Sequence, residues 1–450
     1  MDAQIAIKNG RIVNSLGVFG GVIYIRDGKI IAITETPETA AKQVIDAEGR
    51  FILPGAIDGH IHMMDPGFTD REDFTTGTRA AARGGVTTVI ELSNQARPQV
   101  FTAEALKERR DYLAPKAVVD FGLMGGLSIE HKNDLRPMWE AGALGFKGFM
   151  TERPNEQILN TGRLMELFET IKSFDGIALI HAEDDSILKL TERRLKAAGR
   201  NDYRAIDEWR SRESETSAVT QVVQAAEAAG ARAAIAHVSL PDLVDLVWES
   251  RSRGVRIYTE TCPQYFTLTL DDVVQRGPYN KFTPPARGEE EVEGMWKRLQ
   301  MGRIDMVNSD HCPHERHNKD KGLQSVWEAP FGIPGVETTT RLLLDGVAKG
   351  KLPVTEVARV RSENAARIYR LAGKKGFIQV GYDADLVIVD LEKQERLRDE
   401  SVVSKCGWTP YRGRTVFGDI VLTMVRGNVV MEGGEVIGHP GTGSFVSRER

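Results

Sequence analysis

The stretch Pro54-Gly-Ala-Ile-Asp-Gly-His-Ile-His62 carries an apolar, strand-compatible segment straight into two histidines. Alternate residues of a strand face the same way, so His60 and His62 are expected to present their imidazoles together. Working outward from this first strand at 57–62, seven further strand-like apolar runs follow at 86–92, 117–123, 143–149, 176–181, 232–238, 255–261 and 303–310. Helix-patterned segments lie between them, among them 102–112, 164–173 and 217–229. Eight strands alternating with helices are the layout of a parallel (β/α)8 barrel of the TIM type.

The two ends of the chain read differently. Short alternating runs broken by glycine occur at 5–8, 11–14, 22–26 and 29–34, and the same texture returns only at 377–380, 384–390, 420–426 and 429–432. These are antiparallel-strand patterns, and two distant β-rich segments can pair into one small sandwich. The expected organisation is α/β, with residues 1–52 as the first part of a β-sandwich, 53–374 as the barrel, and 375–450 as the second part of the sandwich and a tail.

Composition excludes several classes. The 450 residues include 41% hydrophobic and 27% charged residues, enough to bury a large core. Acidic residues outnumber basic ones, 64 to 59, and no basic block follows a phosphate backbone, which argues against a nucleic-acid partner. No apolar run approaches the ~18 residues that a membrane span needs, and the first residues lack the pattern of a signal peptide. Cys262, Cys312 and Cys406 form no CxxC pair, so a cytoplasmic location is expected.

The ionisable residues fall at strand ends. His60 and His62 close the first expected strand and Lys147 lies near the end of the fourth. His181 closes the fifth, His237 lies near the end of the sixth, and Asp310 closes the eighth. All strand C-termini of a parallel barrel open on one face, so six groups spread over 250 positions converge on one pocket. Histidine nitrogens and carboxylate oxygens are ligands for zinc and similar divalent ions. One histidine at a strand end is usually a hydrogen-bonded core or surface residue; four of the nine histidines at such ends, joined by an aspartate, point to a metal centre. Lys147 lies in an apolar strand, where a lysine must leave the core or be neutralised. His311, His314 and His317 form an HxxHxxH series, but Pro313 and the charges at 315–321 place it in a loop, and no second metal site is assigned there.

These residues carry a resemblance. The segment 54–62, with Gly-Phe-Lys147, His181-Ala-Glu183, His237-Val-Ser239 and Asn308-Ser-Asp-His-Cys-Pro313, resembles the amidohydrolase superfamily. More narrowly it is similar to the cyclic amidohydrolases: hydantoinase, allantoinase, dihydropyrimidinase and dihydroorotase. The likeness is strongest to L-hydantoinases and allantoinases and extends through Glu260-Thr-Cys-Pro-Gln-Tyr265, Pro284-Pro-Ala-Arg287 and Gly381-Tyr-Asp-Ala-Asp-Leu386. It implies that His60, His62 and Asp310 bind one divalent metal, that His181 and His237 bind a second, and that a carboxylated Lys147 bridges the two. Zinc is the first expectation, with manganese or cobalt suited to the same ligands. Asp310 is then the acid–base residue, and Asp58 is placed to orient a ligand. The resemblance also implies a homo-oligomer, a dimer or tetramer, acting on a small cyclic amide.

The ring is read from the departures. Dihydroorotases resemble one another in an HxHxRxPG pattern, and Met64 stands here at the arginine position, which argues against dihydroorotate. The same methionine argues against allantoin, although Gly77-Thr-Arg-Ala-Ala-Ala-Arg-Gly-Gly85 is allantoinase-like. Glu152 replaces the tyrosine that dihydropyrimidinases and D-hydantoinases carry five residues after the lysine. Met63, Met64, Phe68, Phe149, Met150 and Phe331 suggest a pocket mouth suited to an apolar ring substituent. Thr283 and Gly332 fall where related enzymes hold the amide edge through the main chain, and Asn94 adds a polar contact. The expected reaction is the opening of a 5-substituted hydantoin to an N-carbamoyl amino acid, with allantoinase next, then dihydropyrimidinase or another cyclic imide hydrolase. A third reading is hydrolysis of an acyclic amide or exocyclic amine. The non-enzyme alternative is a dihydropyrimidinase-related scaffold protein, which typically lacks metal ligands that are all present here.

Overall fold

The computed structural model describes residues 3–36, 40–93, 96–153 and 157–448. Its centre is a sheet of eight parallel strands in sequence order: Ala56–Ile61, Val86–Leu92, Asp120–Gly126, Gly145–Phe149, Ile177–His181, Arg232–Ile235, Ile257–Thr261 and Met306–Val307. The ring closes where the His62 N–H donates to the carbonyl of His311 at 2.8 Å, linking the first strand to the segment after the eighth. Nearly every residue of these strands is buried, as expected for a parallel sheet covered by helices.

Helices follow where the apolar spacing placed them. Ala103–Leu113 starts at Thr102, whose side chain accepts the Ala105 N–H, and Thr161–Lys172 starts at Asn160, which caps Arg163 in the same way. Arg212–Ala229 ends at Gly230, whose φ of 62° is the left-handed conformation that terminates a helix without a Cβ penalty.

Three strands differ from the sequence reading by three residues or more, the sixth by ending at Ile235 rather than 238. The third begins at Asp120 rather than 117 because the chain's end occupies that ground: Gly441 and Gly443 donate to the Ala117 carbonyl, and Phe121 bonds Ser444 and, through its carbonyl, Val446. The eighth keeps only Met306–Val307 as regular strand. Beyond it, side-chain bonds to the first strand replace the ladder: Asn308 Oδ1 accepts the Gly59 N–H at 3.0 Å, and Asp58 Oδ1 accepts the Ser309 N–H at 3.1 Å.

Both termini build one mixed sheet of nine strands, so the expected pairing of the two ends is borne out. Strand Ala3–Asn14 has a register shift between Ile7 and Gly10. Before it the strand pairs in parallel with Ala41–Asp46; after it, with Phe51–Pro54, which continues into Leu386–Arg396 and Thr415–Val425. The sheet thus forks, and Ile7, Ile23, Ile52, Leu386, Ile388 and Met424 fill the space between its leaves.

A buried ion cluster joins this sheet to the barrel. Lys375 Nζ meets Asp120, Asp383 at 3.0 Å and Asp385 at 2.7 Å, while Arg426 Nε lies 3.1 Å from Asp120. The carboxylate oxygens lie within 4.8 Å of one another, and Lys375 supplies the cation they need. Removing one partner of a buried charge group typically costs about 3–5 kcal/mol. Lys375→Met is therefore expected to lower stability by about that amount, measured as a reduced urea midpoint. A midpoint unchanged from wild type would contradict this account of how the two parts are joined.

Candidate active site

The six groups named from strand ends meet at the C-terminal mouth of the barrel, on the wall of a cavity of about 550 Å³. His60 Nε2 lies 3.2 Å and His62 Nε2 3.4 Å from Asp310 Oδ1. Lys147 Nζ lies 3.3 Å from His60 Nε2, and His181 Nδ1 lies 2.9 Å from His237 Nε2. Two of the six have left-handed backbone, His237 with φ 39° and Asp310 with φ 47°. Non-glycine residues adopt this conformation at a cost of roughly 1–3 kcal/mol, and such residues concentrate at functional sites.

Buried carboxylates set which nitrogens face inward. Glu260 Oε1 lies 2.5 Å from His60 Nδ1, and Glu183 Oε2 lies 2.8 Å from His181 Nε2. Each carboxylate takes the N–H of the outer nitrogen, leaving the inner nitrogen with its lone pair. Glu260 is itself held by Asn308 Nδ2 at 2.9 Å, and Glu183 by Thr283 Oγ1 at 2.7 Å and Arg210 at 3.2 Å. Burial pushes His62 down to about 3 and His181 down to about 4, and drives His237 well below the usual histidine range. Those three imidazoles are thus held toward the neutral form, and together with His60 they line one volume beside a carboxylate. This donor set fits divalent cations; the cluster His60, His237 and Asp310 alone brings three ligand atoms within 4.8 Å.

Asp58 acts on the main chain. Its Oδ1 accepts the N–H groups of His60 at 3.4 Å and Ser309 at 3.1 Å, and Arg361 lies 3.3 Å from Oδ2. It thereby couples the strand carrying His60 to the turn carrying Asp310.

The substrate-side residues are more scattered. Thr283 and Gly332 line the cavity. The Gly332 N–H donates to the Lys281 carbonyl at 3.0 Å and its own carbonyl accepts from Lys319, so of its two main-chain groups only the carbonyl keeps a free lone pair. Glu152 stands at the rim, paired with Lys189 at 2.7 Å. Asn94 lies outside the described residues.

Met64 requires a correction: it is buried with φ 60° and does not line the cavity, and neither do Met63, Phe68 and Met150. Their chain turns away directly after His62, where Met63 N–H donates to Glu91 at 2.9 Å. Met64 therefore does not select between rings by touching them. The apolar wall is built instead by Phe149, Leu188, Trp209, Phe282 and Phe331. Arg71, Arg153 and Arg210 also line the cavity, and none was named from the sequence.

Glu183 and Glu260 were likewise given no role there, although the signal existed: each is a carboxylate adjoining or inside an apolar strand, the same anomaly that singled out Lys147. His311 and His314 face separate partners, His311 Nε2 lying 3.4 Å from Glu72 and His314 Nε2 2.9 Å from the Phe331 carbonyl.

Comparison with known proteins bears directly on this geometry. Residues 51–430 match the model of the amidohydrolase family. The chain belongs to that family. This amidohydrolase is 36% identical to an L-hydantoinase of Paenarthrobacter aurescens, over 99% of this chain and 98% of the other. It is 35% identical to an allantoinase of Rubrobacter xylanophilus (99% and 98% covered) and 34% identical to a dihydroorotase of Methanosarcina acetivorans (98% and 95% covered). Among solved structures, the L-hydantoinase (dihydropyrimidinase) from Arthrobacter aurescens superposes with a TM-score of 0.97 at 35% identity, covering 99% of this chain and 100% of the other. Among the described residues no helix is long and apolar enough to cross a membrane.

Proposed function

We propose that this amidohydrolase opens the ring of a cyclic amide or ureide, with a 5-substituted hydantoin carrying an apolar group as the preferred substrate and an N-carbamoyl amino acid as product. The observation that carries the reading is the convergence of four histidines, three of them held toward the neutral form by burial, with Lys147 and Asp310 on one cavity whose outer wall is aromatic. His60, His62 and Asp310 would hold one divalent cation and His181 with His237 a second, zinc foremost and manganese or cobalt by the same donor chemistry. Lys147 is 1% exposed, and burial pushes its amine down to about 8. A neutral amine is the form that adds to carbon dioxide; its nitrogen–carbon bond forms as one N–H proton is lost to solvent, giving a carbamate whose oxygens would be further ligands for the cations. Bound there, the cations supply a lowered water pKa and a polarised carbonyl.

The chain does the rest. Asp310 takes a proton from the attacking water and delivers it to the ring nitrogen as the carbon–nitrogen bond breaks. Glu260 and Glu183 keep His60 and His181 in one tautomer throughout. Phe149, Trp209 and Phe331 receive the ring substituent and keep water from it. The three cysteines are unpaired, which supports a reducing, cytoplasmic setting, and a homo-oligomer completes the reading.

The test is ring opening by protein loaded with zinc or manganese in bicarbonate, across hydantoin, both enantiomers of 5-benzylhydantoin, allantoin, dihydrouracil and dihydroorotate. Burial of a phenyl-sized group contributes about 1.5–3 kcal/mol, so kcat/KM for one benzylhydantoin enantiomer is expected to exceed that for hydantoin by about 10- to 100-fold. Turnover of allantoin alone would transfer the assignment to allantoinase. Turnover of none of them, with the metals bound, would overturn the hydantoin reading.

A further inference from the structure

Beside the cavity lie two lysines whose Nζ atoms meet no carboxylate among the described residues. Lys281 is 1% and Lys319 0% exposed, placing both among the largest fully buried side chains. Lys281 Nζ donates to the carbonyls of Val326 and Ala329, each at 2.5 Å, and lies 4.2 Å from the centre of the Phe331 ring. Lys319 Nζ donates to the carbonyls of Gly332 at 2.8 Å, Pro330 at 3.0 Å and Lys281 at 3.3 Å. Three carbonyls thus lie within hydrogen-bond reach of this one nitrogen.

The acceptors explain the arrangement. Residues 326–332 form neither helix nor strand, and Pro330 has no N–H, so the segment cannot satisfy its carbonyls with a ladder of its own. Four of those carbonyls are taken by the two lysines. The same segment brings Pro330, Phe331 and Gly332 to the cavity wall. Gly332 is confined as well: its φ is 124°, and a Cβ there would lie 2.4 Å from the Cys312 carbonyl.

We propose that Lys281 and Lys319 are positioning residues that hold 326–332 as the substrate-facing wall, setting how tightly the ring substituent is received while leaving the bond-breaking step to the metal-side residues. The wall's role as a substrate contact rests on the function proposed above; the lysines' hold on the segment does not. Phe331 reaches Trp209 at 5.3 Å and stacks the wall against the neighbouring helix, so a loosened segment loses its aromatic face as a unit.

The test uses the full-length, metal-loaded protein with Lys319→Met, and with Lys281→Gln as a second variant that retains two N–H donors. Amide hydrogen exchange across 326–333 is expected to accelerate at least tenfold in Lys319→Met and less in Lys281→Gln, with the barrel strands and the metal content unchanged. KM for benzylhydantoin is expected to rise about tenfold or more while kcat stays within about threefold. Unchanged exchange in Lys319→Met overturns the proposal, whether or not any ring has been found to turn over. Faster exchange without a change in KM overturns the substrate-wall part of it, and a parallel fall in kcat and metal content would show a general structural role instead.

Discussion

Asp310→Asn is expected to lower kcat for ring opening by about 10⁴-fold or more while leaving the fold intact. Two losses combine. Proton transfer by a positioned group typically contributes 10²- to 10⁴-fold, and an amide neither accepts the water's proton nor returns it to the leaving nitrogen. The charge that faces His60 and His62 also disappears, weakening the hold on a cation. The change is nearly isosteric, and the strained backbone at this position is fixed from outside by Asp58 and Asn308 rather than by the Asp310 side chain. Circular dichroism and melting should therefore match wild type. A variant retaining a tenth of the wild-type kcat would remove Asp310 from the acid–base role.

Lys147→Ala is expected to take activity below detection and to reduce the divalent metal held per chain. The amine sits 3.3 Å from His60 Nε2, and a methyl group in its place removes the nitrogen on which the proposed carbamate would form. The cost in stability is modest by comparison, because burying an amine already opposes folding and its removal relieves that penalty. Wild-type protein equilibrated with ¹³C-bicarbonate should show a carbamate resonance that is missing from the variant. Wild-type activity in the variant would sink the bridging role outright.

Much of this site was legible in the sequence because barrel topology does the gathering. Once eight strands are recognised, residues at their C-terminal ends must meet, and His60, Lys147, His181, His237 and Asp310 all do. Regular strands announce themselves by local pattern, which is why 86–92 is found with its bounds unchanged. What was not legible depends on contacts between distant segments. The third strand starts late because residues near 441–444 bind its expected beginning, and nothing local to 117–119 records that. Met64 looked like a pocket residue from its spacing after His62, but a positive φ turns the chain away there, and methionine gives no sequence signal of such a turn. Nothing in the sequence marks the lysines at 281 and 319 as interior residues; the carbonyls of a segment beginning at Val326 make them so.

The measurement that tests the central claim most directly is elemental analysis of the purified wild-type chain after zinc loading in bicarbonate and exhaustive dialysis. The account predicts two divalent cations per chain, with stoichiometry falling in Lys147→Ala and in His181→Ala. A chain that retains none, and that opens no ring when zinc is supplied in excess, would contradict it and leave a scaffold built on an amidohydrolase fold.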